Sequence, residues 1–295
     1  MEDYLIKALA YDGFVRAYAV QATNTVSEAQ KRHETWHTSS AALGRTLVGG
    51  LLLGATLKGE DKLTVRIQGN GPANGIVVDA NGKGEVKGYI QNPHLSLPLN
   101  EVGKIDVRGA VGTQGMFSVT KDLGLKEPFS GQTPIVSGEI AEDFTYYLAI
   151  SEQIPSAVGL SVLVNTDDSI KTAGGFMIQI MPGADEETIS KIEVQLKTTP
   201  RISTLLDEGL TPEEILEGLL DTNELNILEK MAVQFKCDCS KEKFGEAIIA
   251  LGAKEIQAMI DEDHGAEAVC SFCNSKYEYS EEDLYKLKAE ALGGS

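Results

Sequence analysis

The sequence predicts an α+β protein: an antiparallel-sheet core with helices, a helical linker after it, and a small cysteine-bearing module at the end. Three observations carry this. Short apolar runs punctuated by Gly and Asn turns dominate the first part of the chain, with a few helical stretches between them. After Pro182-Gly183 the composition shifts to helix formers. All four cysteines fall in the last quarter of the 295 residues, in two tight pairs. The expected division is a core platform at 1–182, a helical linker covering it at 183–232, and the cysteine module at 233–295.

Taken in order, Leu5 to Ala10 and Phe14 to Thr23 flank Asp12-Gly13, a hairpin signal. Thr25-x-x-Glu28 has the form of a capping box and opens a helix towards His33. A second helix runs from Ser39 or Ser40 to about Leu57. It is apolar nearly all round, which marks it as buried, and Gly49, Gly50 and Gly54 permit close packing. Strands follow at Leu63–Gln68, Gly75–Asp79, Glu85–Ile90, Ile105–Gly109 and Met116–Thr120, with a second hairpin signal at Asn81-Gly82. Ile140 to Gln153 reads as a helix stopped by Pro155, and Ala157–Asn165 and Phe176–Met181 as strands.

In the linker, Asp185 caps an amphipathic helix to about Lys197, and Pro200 breaks it. Thr211-Pro212-Glu213-Glu214 is a capping box with proline at the first helical position. The apolar stripes of this segment, Ile189, Ile192, Leu205, Leu206, Ile215, Leu216, Leu219 and Leu220, must lie on something. They are either the outer layer of a single core or a detachable cover over an apolar sheet face. In the module, helices are expected near Lys243–Leu251 and Lys254–Ile260. A strand runs through Tyr277 and Tyr279, and Ser280-Glu-Glu-Asp283 starts a terminal helix.

The cysteines are Cys237-Asp-Cys239 and Cys270-Ser-Phe-Cys273. A disulfide scaffold would spread its cysteines along the fold it staples. Two clustered pairs far apart in sequence read instead as the halves of a tetrahedral zinc site. Side chains two apart on an extended segment point the same way. With Zn–S bonds near ~2.3 Å, neighbouring sulfurs lie about 3.8 Å apart, which both pairs can meet. Asn274 tolerates the left-handed turn that a Cys-x-x-Cys knuckle uses. Four thiolates close the site, so the metal is not catalytic. Either pair can also close a local disulfide. The Cys237–Cys239 ring would be strained and easily reduced, which suits a reversible switch.

Charge and motifs exclude other classes. The formal net charge is −18, from 44 acidic and 26 basic residues, which argues against nucleic-acid and anionic-membrane partners. The acidic N-terminus has no signal-peptide form, and Leu47 to Leu57 is too short to span a bilayer. A cytoplasmic setting is expected, where cysteines stay reduced. No Gly-x-x-x-x-Gly-Lys-Ser/Thr loop is present, so no nucleotide is expected. His33-Glu34-Thr35-Trp36-His37 matches the His-Glu-x-x-His zinc-peptidase motif and is the competing, enzymatic reading; the third ligand it needs has only Glu60 as a candidate. His264 reads as a solvated turn residue.

The chain resembles the bacterial heat shock protein 33 family of redox-regulated holdase chaperones along essentially its whole length. The motifs are Phe235-Lys-Cys237-Asp-Cys239-Ser240 with Cys270-Ser-Phe-Cys273, Ala41-Ala-Leu-Gly-Arg45, and Ser137 to Leu148 running into Glu152-Gln-Ile-Pro-Ser-Ala157. The cysteine spacing is the most specific of these. The resemblance implies a non-enzymatic, ATP-independent chaperone. It is off when Cys237, Cys239, Cys270 and Cys273 hold one zinc per chain. It also implies activation by oxidant with unfolding stress, through disulfides Cys237–Cys239 and Cys270–Cys273, zinc release, and unfolding of the module and linker. The partners so implied are unfolded clients and, in the oxidised state, a second copy of the chain.

Overall fold

The computed structural model describes residues 2–293, and the chain separates into two compact units, Met1–Lys236 and Cys237–Ser295. The first unit begins with β1 (Tyr4–Ala10) and β2 (Val15–Gln21), joined through Asp12 in a left-handed conformation (φ 54°), as the hairpin signal requires. Helix α1 (Thr23–His33) follows, but Thr25 and Glu28 form no capping box. Its first-turn amides are met from afar. Asn24 N and Thr25 N donate to the Asp3 carboxylate at 3.1 and 2.6 Å, and Glu28 instead pairs with Arg32 at 2.7 Å. Burial pushes the Asp3 carboxyl up, and its bonds from Thr25 and Asn24 oppose the shift. Replacing Asp3 with Ala removes this cap, and the expected cost is about 1–2 kcal/mol, read as a lower chemical-denaturation midpoint at unchanged slope.

Helix α2 (His37–Gly54) is the axis of the unit, buried along nearly its whole length. Its glycines let sheets approach: a Cβ on Gly50 would meet Val78 at 2.8 Å, and one on Gly54 would meet the Asn81 carbonyl at 2.8 Å. Strands β3 (Lys62–Gly69), β4 (Ile76–Asn81) and β5 (Glu85–Ile90) then form a meander. Ile105–Gly109 is not the expected strand. Asp106 caps a short helix α3 (Val107–Val111), accepting from Gly109 N at 2.8 Å. Next come β6 (Gly115–Asp122), β7 (Phe129–Pro134), α4 (Ala141–Ile150), β8 (Ser156–Val164) and β9 (Ile170–Ile180).

The segment expected as a helical linker folds as α5 (Glu186–Thr198), α6 (Ile202–Asp207) and α7 (Pro212–Leu220) but ends in a strand, β10 (Asn226–Ala232); β11 (Gln234–Phe235) follows it, inside the first compact unit although beyond residue 232. The Asp185 cap and the Thr211/Glu214 capping box form as the sequence indicates. One sheet has five strands in the order β10-β1-β2-β9-β8. The other has six, β11-β5-β4-β3-β6-β7. Every pairing is antiparallel except β11 with β5.

The five-stranded sheet is apolar on both faces. Leu5, Tyr18, Val20 and Met177 face the α2 core. The alternate residues Ile6, Ala8, Ala17, Ala19 and Ile178 face a second cluster with Ile192, Leu206, Ile215, Leu216, Leu219 and Leu220 of α5–α7. Small side chains on this face let the helices lie close. The stripe read from sequence therefore does cover a sheet face, with Leu205 only partly buried at its margin and Ile189 outside the cluster. Polar pins hold it there, with Tyr4 Oη donating to Glu213 at 2.6 Å and Ser161 Oγ donating to Ser203 Oγ at 2.6 Å.

Candidate metal and redox site

The second unit opens on Cys237. Cys237-Asp-Cys239 leads into α8 (Lys241–Leu251), whose cap is Ser240, accepting from Lys243 N at 3.3 Å. Lys243 Nζ folds back onto the Asp238 carbonyl and carboxylate, each at 2.7 Å, and fixes the loop between the two thiols. Helix α9 (Ala253–Ala258) runs on through a π-helical turn at Met259–Asp263. Then β12 (Gly265–Val269) and β13 (Lys276–Ser280) pair antiparallel, and α10 (Glu281–Gly293) closes the unit.

The Cys270–Cys273 knuckle is the tip of the β12–β13 hairpin. Cys270 N donates to the Ser275 carbonyl at 2.9 Å, and Asn274 N donates to the Cys270 carbonyl at 2.7 Å. Asn274 has φ 59°, the left-handed turn expected of it. His264 is an exposed turn residue beside Glu281, as its sequence context indicates.

The structure brings all four sulfurs together. Their Sγ atoms lie within 4.8 Å of one another, with Cys237–Cys270 at 3.7 Å and Cys239–Cys273 at 3.3 Å. All four are free thiols; Cys270 and Cys273 are buried, Cys237 and Cys239 half-buried. These separations approach the ~3.8 Å edge of a zinc tetrathiolate. Burial pushes the Cys237 and Cys270 thiols up from their ordinary value. Burial acts the same way on Cys273, but hydrogen bonds from the Ser275 hydroxyl and amide, helped by Cys239 and Cys270, outweigh it and bring Cys273 down to about 7. Four negative sulfurs in so small a volume repel strongly without a cation among them. Soft donors, closed geometry and that repulsion fit zinc.

Two neighbours escaped the sequence reading. Tyr277 Oη lies 3.2 Å from Cys239 Sγ, and Ser275 Oγ lies 3.2 Å from Cys273 Sγ. The contact with Cys239 comes first among the causes that push the Tyr277 hydroxyl up to about 12. In the sequence Tyr277 registers only as part of a strand. Its spacing from Cys239 is long-range, so no local pattern announces it.

The peptidase motif does not assemble. Helix α1 ends at His33, Glu34 is its left-handed C-cap (φ 50°), and α2 begins at His37. The two histidines therefore do not share one helix face, which the motif requires. His37 turns to Asp168 at 3.3 Å, and Glu60 pairs with Lys83 at 2.5 Å. Among the described residues, the cysteine quartet is the one group of three or more His, Cys, Asp or Glu placed to share a metal ion. Among them, too, no helix is long and apolar enough to cross a membrane.

Comparison with known proteins agrees with this arrangement. A family model described as Hsp33 protein matches residues 3–280. The chain is 70% identical over 292 residues to the 33 kDa chaperonin of Enterococcus faecalis, covering 99% of this chain and 98% of that one. It is 61% identical over 288 residues to the 33 kDa chaperonin of Bacillus velezensis, covering 98% and 99%. It superposes on the crystal structure of the 33 kDa chaperonin (heat shock protein 33 homolog) of Thermotoga maritima with a TM-score of 0.93, at 39% identity, covering 99% of this chain and 100% of that one.

Proposed function

The chain belongs to the Hsp33 family, and from that premise we propose that it is a redox-switched, ATP-independent holdase that keeps unfolding proteins in solution. The observation that carries the reading is the quartet of free thiols within 4.8 Å, on a unit with little core of its own. We divide the chain functionally into a platform at 1–182, a covering linker at 183–232 and a switch module at 233–295, acting in the reducing cytoplasm. When bound, one zinc(II) per chain would hold Cys237, Cys239, Cys270 and Cys273 as thiolates, cancel their repulsion, and contribute about 10–16 kcal/mol to folding of the module.

Oxidation consumes the donors. Each pair of thiolates gives two electrons to one peroxide; a sulfur–sulfur bond closes within Cys270 and Cys273 and another within Cys237 and Cys239. With protons from solvent, each peroxide leaves as two waters. Fully oxidised sulfurs no longer serve as thiolate ligands. The module then rests on a core of five buried residues, Ile248, Ile256, Ile260, Tyr279 and Leu284, which is small for its length.

The chain reaches the module through β10 and β11, both edge strands, so once the module loses order only these two edge pairings, to β1 and β5, hold that end of the linker. Strand β10 is poorly defended, since its side chains are mostly exposed and its backbone ladder to β1 does most of the holding. With α5–α7 released, the Ile6, Ala8, Ala17, Ala19 and Ile178 face meets solvent, and apolar patches of that kind bind unfolded chains and a second copy of the protein.

The test is a titration of free thiols and bound zinc alongside a client-aggregation assay before and after peroxide at mild heat. The expected course is one zinc per chain in the reduced protein, its release as four thiols disappear, and a rise in client protection in parallel. Zinc release with no gain in protection would falsify the proposal.

A further inference from the structure

We propose that Tyr277 is the positioning residue of the sulfur site, its hydroxyl donating a hydrogen bond to the Cys239 thiolate and tying that sulfur to the core of the module. This rests on the reading of the four cysteines as metal ligands. Tyr277 Oη sits 3.2 Å from Cys239 Sγ and 3.1 Å from the Cys239 carbonyl. A phenol has one proton to give. An ionised sulfur competes for it better than a neutral carbonyl, because hydrogen bonds to charged acceptors are the stronger ones. The carbonyl then serves as the alternative acceptor when the sulfur is oxidised.

The rest of the side chain is anchored. Its ring packs on Phe244 of α8, with centroids 5.4 Å apart, and its backbone is registered opposite Ala268 in the β12–β13 ladder. One residue thus touches the first cysteine pair, the hairpin that carries the second pair, and the helix between them. The hydrogen bond holds the sulfur in place for the metal, and by withdrawing electron density from it slows its attack on an oxidant.

Tyr277→Phe deletes the hydroxyl and keeps the ring. Tyr279→Phe is the control: it removes a buried hydroxyl from the same strand that donates to the Lys241 carbonyl and lies away from sulfur. The full-length protein is loaded with cobalt(II) and its sulfur-to-metal charge-transfer band is recorded. Zinc affinity is measured by chelator competition and thiol loss by peroxide titration.

The expected result for Tyr277→Phe is a charge-transfer band at lower energy, zinc affinity weakened about 10- to 100-fold, and faster thiol loss, with Tyr279→Phe unchanged in the band. Wild-type chain grown with fluorinated tyrosine, a stronger donor, shifts the band the opposite way, and this measurement stands even where the phenylalanine variant does not fold. A band unmoved by both changes overturns the role of Tyr277 and leaves the metal site standing. A wild-type protein that takes up neither zinc nor cobalt overturns both.

Discussion

Reduced, metal-loaded protein carrying Leu216→Asp is expected to hold unfolding clients in solution with no oxidant added. Leu216 lies in α7, fully buried against the sheet. Removing its side chain to Ala already costs about 2–5 kcal/mol by the usual cavity rule, and placing a carboxylate there costs more. The helix can escape that cost by leaving the sheet, which its short length and mostly apolar attachment allow. The cysteines stand in the other compact unit, so zinc content should remain one per chain while apolar-dye binding and client protection rise together. Leu216→Ala should lie between the variant and wild type in both readouts. If hydrogen exchange shows α7 open yet the reduced variant protects no client, the sheet beneath α5–α7 is not the client surface.

The same physics explains which parts of the fold the sequence disclosed. Strands bounded by Gly and Asn turns and buried on one face, such as β5 at Glu85–Ile90, announce themselves through alternation. Strand β10 does not. Six of its seven residues are exposed, so there is no buried face to write a pattern. Strand β7 contains Gly131 and ends on Pro134, residues that read as loop but are tolerated at a sheet edge. The cap of α1 is not written in a local motif, because its acceptor, Asp3, is 22 residues from Thr25.

At the site the legible part was the spacing within each cysteine pair, since knuckle geometry is local. The meeting of the two pairs was legible too, because two tight pairs far apart in sequence make one four-sulfur site only by coming together; the approach of Tyr277 to Cys239 depends on how the hairpin β12–β13 returns to α8, which no spacing encodes. His33-x-x-x-His37 illustrates the converse. The letters of a motif are present, but Glu34 adopts a left-handed conformation and ends the helix that the motif needs.

Stripping metal from the reduced chain with a strong chelator is expected to unfold Cys237–Ser295 while leaving most of Met1–Lys236 folded. The two units differ sharply in what holds them. The first has two extensive buried clusters spanning both sheets and α2. The second has one cluster with five buried members. A structural zinc contributes about 10–16 kcal/mol, as much as the whole stability of an ordinary domain at about 5–15 kcal/mol. Its removal should therefore take the small unit past its midpoint. Hydrogen exchange of the full chain separates the outcomes. Amides of β12 and β13 should lose protection in chelator and regain it on zinc addition, while those of β3 and β4, deep in the larger unit, keep theirs. Protection of β12 and β13 that survives chelation would mean that five buried residues suffice to fold the module, and the switch would then need a different source of energy.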